Sequence, residues 1–342
     1  MLKSMLISRL GSAAQSHVNM PSVVLFGGSG FIGTRLCRFL NASNYIFNIY
    51  DLKKSVLFGH LTHIVDVRES ISLNISQGYD LIINLAAEHR DDVHPKILYY
   101  QTNVLGAINV CEFARASKIN KIIFTSSVSV YGFAPVGTNE LGAINPYNDY
   151  GSTKWQAEEI YRQWQAEDSI NRTLVIIRPT AVFGEGNRGN IYNLFKQIAS
   201  GHFVMIGKGH NRKSIAYVDN VASFIEYAIR FGPGLHLFNY VDKPDLSMNE
   251  LISYVNESLG RSLKNRIRIP YVLGLLIAKL FDITGTLLKK KFPVSSIRIK
   301  KFSSNSVYES SVNSTKFKAP YDLLSAIRKT IKYEFKDRDR SR

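Results

Sequence analysis

The chain has 342 residues, 45% of them apolar, and a formal net charge of +16. This length allows one large α/β unit with a smaller lobe, and the apolar content is ordinary for a soluble globular protein. Cys37 and Cys111 are its only cysteines, which excludes a disulfide framework or a cysteine metal site and favours a reducing, cytosolic setting. Residues 1–20 contain Lys3 and Arg9 and lack the apolar core of a signal peptide. We expect a disordered tail or a mis-assigned start there.

The first patterned stretch predicts a strand, a glycine-rich turn and a helix. An apolar run is followed by glycines at positions 27, 30 and 33 and then by an amphipathic segment. In this G-x-x-G-x-x-G form of the dinucleotide fingerprint, Gly27 permits the sharp turn, Gly30 lets the backbone approach a pyrophosphate, and Gly33 lets the helix pack on the strand. The first helical N–H groups, including those of Phe31 and Ile32, are expected to face the phosphates.

A carboxylate follows at the position that selects the cofactor. A second apolar run ends at Asp51, 18 residues beyond Gly33. An acid here binds the ribose hydroxyls of adenosine and repels a 2′-phosphate, which favours NAD over NADP. Lys53 and Lys54 lie close by and weaken this preference without reversing it.

Strands and helices then alternate along the chain. Residues 62–65, 80–87 and 121–125 are predicted strands, and 96–117 is a predicted amphipathic helix. This spacing predicts an α/β fold with a Rossmann-type, doubly wound parallel sheet, in which ligands bind beyond the carboxyl ends of the strands. From residue 179 the pattern loosens. We therefore expect an NAD-binding domain over 21–178 and, over most of 179–342, a smaller C-terminal substrate lobe.

Residues at the ends of two of these strands are candidates for cofactor contacts. Asp66 and Val67 follow the third strand, where an acid commonly reaches the adenine edge. Leu85, Ala86 and Ala87 end the fourth strand, and the two alanines leave space for a flat cofactor at its carboxyl end.

Positive charge is concentrated between Arg261 and Lys301. This region has eleven Lys or Arg residues against one acid, Asp282, and it encloses the apolar run 269–278, which is too short to span a bilayer. It carries no nucleic-acid-binding motif, so we expect no nucleic-acid partner. Two interpretations stand equal: a segment lying among the headgroups of an anionic membrane, or a core helix with a solvated rim.

The sharpest chemical pattern is Tyr150 and Lys154 with Ser127 upstream. Tyr150 and Lys154 are four residues apart and therefore share one face of a helix. Free tyrosine has a pKa of about 10, and a neighbouring ammonium favours the phenolate that a base requires. Ser127 follows the fifth strand and is placed to hold a substrate hydroxyl, while Lys154 is also placed to bind the nicotinamide ribose.

These motifs resemble the extended short-chain dehydrogenase/reductase family, in its sugar epimerase and dehydratase branch. The resemblance covers Val23 to about Tyr240 and includes GGSGFIG, DVR, NLAA, TNV, FTSSVSVYG, YGSTK, RPTAVFG and YVDNVA. It implies that Ser127, Tyr150 and Lys154 are the catalytic residues, that the cofactor is NAD, and that Asn103 of the TNV motif contacts it.

The reaction class rests on a departure from this pattern. Dehydratases of the branch carry Asp-Glu directly after the catalytic serine, where this chain has Val128 and Ser129, neither of which transfers a proton usefully. The resemblance implies an epimerase cycle instead: Tyr150 takes the C4 hydroxyl proton, bound NAD takes the hydride, and the hydride returns after the keto-sugar turns over. An NAD-dependent sugar reductase stays open. A non-enzymatic nucleotide sensor is disfavoured because the Tyr/Lys pair is retained.

Two further departures concern the substrate. Nucleotide-sugar epimerases carry an Asn where this chain has Ala181, and an Arg that clamps the nucleotide diphosphate where it has Lys213. Both changes weaken the case for a UDP-sugar, although a UDP-sugar 4-epimerase remains the alternative.

A narrower resemblance is to bacterial 4-epimerases acting on N-acetylglucosaminyl-diphospho-undecaprenol. It rests on AEHRDD, KWQAEE, NRGN and NYVDKPD and covers nearly the whole chain after residue 20. It implies a lipid-linked sugar diphosphate as substrate, a role in O-antigen synthesis, and a location in the cytoplasm or peripherally on the cytoplasmic face of the bacterial inner membrane. Lys213 and Arg188 are then expected to hold the diphosphate. A homodimer is a further expectation.

Overall fold

A computed structural model of the chain describes residues 20–72, 78–90, 93–261, 267–288 and 295–336. Most of the predicted N-terminal tail and parts of the basic region (262–266 and 289–294) lie outside the described residues.

Strands and helices alternate through most of the described chain. The strands are β1 (Val23–Phe26), β2 (Phe47–Asp51), β3 (Thr62–Ile64), β4 (Leu81–Asn84), β5 (Lys121–Thr125), β6 (Thr173–Pro179), β7 (Ala181–Phe183), β8 (Met205–Ile206), β9 (Arg212–Tyr217), β10 (Gly234–Tyr240), β11 (Asp242–Ser247) and β12 (Arg268–Ile269). The helices are α1 (Phe31–Ala42), α2 (Ile97–Tyr99), α3 (Gly106–Ala116), α4 (Asp149–Ala166), α5 (Asn190–Ala199), α6 (Val218–Ala228), α7 (Met248–Ser258), α8 (Tyr271–Leu288), α9 (Ser296–Ser303) and α10 (Leu323–Ile331).

Seven strands form one fully parallel sheet in the order β10-β6-β5-β4-β1-β2-β3. The interior strand β1 is buried on both faces: Val23 and Leu25 pack in the layer that contains α1 and α6, and Val24 and Phe26 in the layer that contains α3 and α4. Two covered faces explain why the strands are continuous apolar runs. The predicted Rossmann-type sheet is confirmed.

A smaller lobe follows, built on a three-stranded sheet (β11-β9-β7) and a two-stranded pair (β12-β8). The chain does not stay in this lobe after residue 179, because α6 packs against α1 and β10 pairs with β6 at the edge of the main sheet. These two returning elements are parts of 179–342 that pack with the main sheet, and the division at residue 178 stays a prediction.

Two helical segments differ from their expected form. The predicted helix 96–117 is α2 and α3 joined by a π-helical turn over Tyr100–Leu105, a local irregularity that is frequent at functional sites. The apolar run 269–278 begins with the last residue of β12, and its residues 271–278 belong to the longer helix α8. Within the described ranges, no helix combines the length and the apolar character needed to cross a membrane.

Candidate active site

The carboxyl ends of the parallel strands open into one cleft of about 980 Å³. Most of the residues singled out from the sequence line it, and they come from seven separate stretches of the chain: Gly27, Gly30, Phe31, Ile32, Gly33, Asp51, Asp66, Val67, Leu85, Ala86, Ala87, Ser127, Tyr150, Lys154 and Arg188. The described residues of the lining do not include Asn103 or Lys213.

The glycine-rich turn fits a dinucleotide. Gly27 has a φ of +77°, and a Cβ there would lie 2.6 Å from the backbone nitrogen of Ala86. A Cβ on Gly33 would lie 2.5 Å from the carbonyl oxygen of Gly27, so α1 packs on the turn only with glycine at that position. A Cβ on Gly30 would lie 3.3 Å from the carbonyl oxygen of Gly27, and no side chain of the described residues caps α1. The N–H groups of its first turn are therefore available to a pyrophosphate.

Asp51 and Asp66 lie at the ends of neighbouring strands. The Asp51 carboxylate accepts a hydrogen bond from the backbone N–H of Ser29 at 3.0 Å, which fixes it beside the glycine-rich turn. Asp66 pairs with Arg68, whose guanidinium holds the pKa of that carboxyl below its ordinary value. Both acids line the cleft, as expected for contacts with the adenosine half of NAD.

A glycine brings α4 against the turn that follows Ser127. Ser127 is buried at the end of β5, and its hydroxyl oxygen accepts a hydrogen bond from the backbone N–H of Ser129 at 3.1 Å. A Cβ on Gly151 would lie 2.5 Å from the Ser129 carbonyl oxygen, so glycine at this position lets α4 begin against that turn. Tyr150, in the first turn of α4, consequently lines the same cleft as Ser127.

Lys154 lies one turn further along α4 and is almost fully buried. Its ammonium lies 4.3 Å from the centre of the Phe124 ring. Burial lowers the pKa of Lys154 to about 7, against an opposing effect of the negative charge on Glu158. The side chain therefore holds a proton whose loss falls near neutral pH, next to the tyrosine that is expected to act as a base.

Asn103 lies behind the cleft, in the π-helical turn. Its side-chain amide accepts from the N–H of Glu88 at 2.9 Å and donates to the Glu88 carbonyl and the Thr153 hydroxyl, each at 3.0 Å. In the structure it joins the segment after β4 to the catalytic helix. The expected cofactor contact would therefore be indirect, through the backbone that Asn103 fixes.

The expectation for Lys213 is corrected. Its ammonium donates to the carbonyl oxygens of Lys301 at 2.8 Å and Ser304 at 2.7 Å, and to the Ser306 hydroxyl at 3.3 Å. These acceptors match the three N–H bonds of an ammonium. Burial and the charge of Lys301 lower the pKa of Lys213 to about 8. The segment after α9 folds back over β9 and covers this side chain, so Lys213 fastens that segment and does not reach a diphosphate in the cleft.

Sequence reasoning missed two charged features of the site. Arg298, in α9, lines the cleft together with Arg188, although the sequence pattern predicted nothing for it beyond one charge of the basic region. Glu158 and Arg178 form a buried ion pair at 2.5 Å behind the catalytic helix. The sequence did carry one signal for this pair, because Glu158 lies four residues after Lys154 and therefore on the same face of the helix.

The comparisons with known proteins agree with this geometry. Residues 23–239 match the NAD dependent epimerase/dehydratase family. The chain is 45% identical over 317 residues to the N-acetyl-alpha-D-glucosaminyl-diphospho-ditrans,octacis-undecaprenol 4-epimerase of Escherichia coli O157:H7, covering 92% of this chain and 95% of that protein. It is 27% identical to the UDP-glucose 4-epimerase of Vibrio cholerae, over 78% of this chain and 86% of the relative.

Solved structures show the same fold at low sequence identity. The UDP-glucose 4-epimerase of Thermotoga maritima with UDP-glucose superposes with a TM-score of 0.72 at 18% identity, covering 94% of this chain and all of that one. The UDP-glucuronic acid 4-epimerase of Bacillus cereus in complex with NAD gives a TM-score of 0.71 at 18% identity, covering 91% and 98%.

Proposed function

We propose a function from the premise that the chain belongs to the NAD-dependent epimerase/dehydratase family: it is a 4-epimerase that interconverts N-acetylglucosamine and N-acetylgalactosamine on undecaprenyl diphosphate. The observation that carries this proposal is the meeting of Ser127, Tyr150 and Lys154 in the cleft that begins at the glycine-rich turn. The similarity to a lipid-linked-sugar 4-epimerase over nearly the whole chain selects the substrate. Use of the product in O-antigen or another surface polysaccharide belongs to the same proposal.

The residues divide the chemistry between them. Bound NAD supplies a reversible hydride acceptor for C4 of the sugar. Tyr150 removes the proton of the C4 hydroxyl and later returns it, which is general base and then general acid catalysis. The charged form of Lys154 favours the tyrosine phenolate and orients the nicotinamide ribose. Ser127, held by the N–H of Ser129, orients the sugar hydroxyl that loses the proton.

The diphosphate of the carrier is assigned to two arginines. Arg188, just before α5, and Arg298, in α9, line the same cleft. A guanidinium presents several N–H donors in a plane and matches phosphate oxygens in a bidentate way. Ala181 also lines the cleft and offers no hydrogen bond to a nucleotide, which favours a carrier other than UDP.

A peripheral membrane contact through α8 supports a lipid-linked substrate. One side of this helix packs on the β8 strand, where Gly274 lies against Ile206. The opposite side leaves apolar side chains largely in solvent: Val272, Leu273, Leu276, Leu280 and Ile283. Arg268, Lys279 and Lys300 are exposed nearby. An exposed apolar helix among cations fits the headgroup region of an anionic membrane, at about 1 kcal/mol per basic residue.

This arrangement favours the membrane interpretation over the core-helix one. The Asp282 carboxylate accepts from the N–H of Ser296 at 3.0 Å, which ties α9 to α8. Arg298 on α9 would then stand between the membrane surface and the cleft, where the diphosphate of a membrane-embedded carrier must lie. The cytoplasmic face of the inner membrane is the location that this proposal implies. A homodimer stays a prediction, which light scattering on the purified protein measures.

The substrate is tested by supplying two donors to the purified protein with NAD. Polyprenyl-diphospho-N-acetylglucosamine and UDP-N-acetylglucosamine are incubated separately, and the released sugars are separated into GlcNAc and GalNAc. We expect efficient conversion of the lipid-linked sugar and poor conversion of the UDP-sugar. Conversion of the UDP-sugar alone would identify a nucleotide-sugar 4-epimerase.

The membrane contact is tested by flotation with liposomes. The triple variant Val272→Ser/Leu276→Ser/Leu280→Ser removes apolar side chains from α8, and Val56→Ser/Leu141→Ser/Ile170→Ser removes even more exposed ones elsewhere. We expect the wild type and the control variant to float with anionic liposomes at low salt and the α8 variant to stay in solution. Equal recovery of all three proteins, with neutral and anionic lipid alike, would reject this contact.

A further inference from the structure

A buried carboxylate lies behind the catalytic residues. Glu158 follows Lys154 by one turn of α4, its side chain is inaccessible to solvent, and it is not among the described residues that line the cleft. A buried charge is costly unless it is paired and hydrogen-bonded. No step of the epimerisation described above uses this group, although it is close enough to Lys154 to affect its titration.

The contacts of Glu158 reach both sides of the catalytic serine. One carboxylate oxygen accepts from the Ser126 hydroxyl at 2.5 Å and from Arg178 Nε at 2.8 Å, and the other accepts from Arg178 Nη2 at 2.5 Å. Ser126 directly precedes Ser127. Arg178 in turn donates to the Tyr131 hydroxyl at 2.6 Å, in the turn that follows Ser127. The carboxylate thus connects α4 to the end of β5, to β6 and to the turn beyond the serine.

We propose that Glu158 is a positioning residue that fixes the helix carrying Tyr150 and Lys154 against the strand end carrying Ser127, and that its charge keeps Lys154 protonated beside Tyr150. This inference rests on the proposed function, since it concerns the same catalytic residues. A bidentate ion pair and a hydroxyl bond on one buried carboxylate allow little movement between the helix and the strand. Such rigidity matters because a displacement of about 1 Å costs on the order of 10²-fold in rate.

The charged surroundings of Lys154 support the electrostatic part. Glu158 on its own helix is the carboxylate that acts on it, and it opposes the lowering of the pKa by burial. Phe124 of β5 and Ser126, just beyond that strand, have uncharged side chains, and β6 presents Arg178, whose guanidinium is bound to Glu158. On α4 itself, Tyr150 lies one turn before Lys154, and Arg162 pairs with Glu158 at 3.7 Å from one turn beyond it. Removing the charge of Glu158 would leave burial unopposed and make Lys154 lose its proton at a lower pH.

The test compares Glu158→Gln and Glu158→Asp with the wild type and with Glu167→Gln, which removes a partly exposed acid of the same helix region. Turnover of the lipid-linked substrate is measured against pH and is normalised to the number of NAD-binding sites. We expect Glu158→Gln to lower kcat by about 10²-fold with little change in KM. We also expect it to move the alkaline limb of the profile to lower pH. Glu158→Asp retains the charge, so the alkaline limb should return to its wild-type position while kcat stays below the wild-type value.

Two results would overturn the proposal. One is a wild-type kcat per NAD site in Glu158→Gln; the other is a fall in kcat without movement of the alkaline limb, which a merely structural role would produce. If Glu158→Gln fails to bind NAD, Ser126→Ala decides, because it removes one hydroxyl and leaves the ion pair: a lower kcat supports the proposal and an unchanged kcat overturns it. Inactivity of the wild type itself would count against the proposed function instead.

Discussion

In the proposed mechanism, the phenol of Tyr150 exchanges a proton with the substrate. The Tyr150→Phe variant keeps the ring in the first turn of α4 and removes the hydroxyl. We expect turnover to fall by about 10²–10⁴-fold, the usual contribution of a general base, while the fold and NAD binding persist. Turnover and NAD titration on the same preparation measure this. Tyr227→Phe, on α6 outside the cleft lining, is the control, and a Tyr150→Phe variant with near wild-type rate would exclude the base role.

Burial of the charged Lys154 side chain lowers the free energy of unfolding of the protein. Its pKa is about 7 in the folded protein and near 10.4 in an unfolded chain, so between these values the unfolded state binds more protons. The contribution of this group to the free energy of unfolding therefore rises as pH increases from about 7 to about 10, by about 1.4 kcal/mol per unit of pKa difference. Below pH 7 the full cost of the buried charge is present.

The Lys154→Met variant should consequently be inactive and, at pH 6, more stable than the wild type. Its advantage should shrink as pH approaches 10, because the wild-type lysine is then neutral in both states. Urea unfolding at pH 6, 8 and 9.5 measures the difference, with Lys196→Met on the exposed side of α5 as the control. A stability difference that does not vary with pH would contradict the assignment of a buried, titrating ammonium.

The elements themselves were largely predictable where the pattern is local. The glycine spacing predicted the β1–turn–α1 unit because steric contact with the Gly27 carbonyl allows only glycine at position 33. The apolar run 121–125 became β5 without change. The Tyr-x-x-x-Lys spacing correctly placed Tyr150 and Lys154 one turn apart on α4, because helical periodicity is a property of the local chain.

What the sequence did not reveal depends on contacts between distant segments. Lys213 lies on β9, but the segment 301–306 that covers its ammonium is nearly ninety residues away in the chain. The return of α6 and β10 to the main sheet has the same origin. The sequence likewise left the environment of the apolar helix undecided, and only the packing of Gly274 on Ile206 shows which side of α8 is covered.

At the level of elements, Asp51 at the end of β2 should set cofactor preference. Its carboxylate holds the Ser29 N–H and faces the cleft, so Asp51→Ala should loosen the turn for both cofactors but relieve repulsion only for a 2′-phosphate. We expect the wild type to bind NAD more tightly than NADP and the variant to lose most of this ratio. Calorimetric titration with both cofactors measures it, with Glu112→Gln on the exposed side of α3 as control. An unchanged ratio would assign the selection to another group.

At the scale of the whole molecule, the last described residues of the chain pack against a loop that lines the cleft. Glu334, in the last described turn, accepts from the Gly186 N–H at 2.7 Å and from the Arg188 guanidinium at 3.1 Å. On the same loop, Glu185 pairs with Arg35 of α1 at 3.4 Å and with Lys329 of α10 at 3.5 Å. The loop that carries a proposed diphosphate ligand is therefore fastened to the cofactor helix and to the C-terminal helix together.

The Glu334→Gln variant tests whether the contacts of Glu334 with this loop help the protein to bind its substrate. Glutamine keeps an oxygen for the Gly186 N–H but loses the charge that orients Arg188. Glu334 occupies only some of the N–H donors of the Arg188 guanidinium. We therefore expect its effect on the orientation of Arg188 to outweigh any competition with the diphosphate for those donors. With Arg188 about half exposed, the ion pair contributes about 1 kcal/mol, so we expect KM for the lipid-linked sugar to rise about five-fold with NAD affinity unchanged. Glu257→Gln, which removes an exposed acid 4.0 Å from Arg328, is the matched control. A lower KM in Glu334→Gln would show that the carboxylate competes for Arg188, and an equal loss of NAD affinity would show that it supports the cleft as a whole.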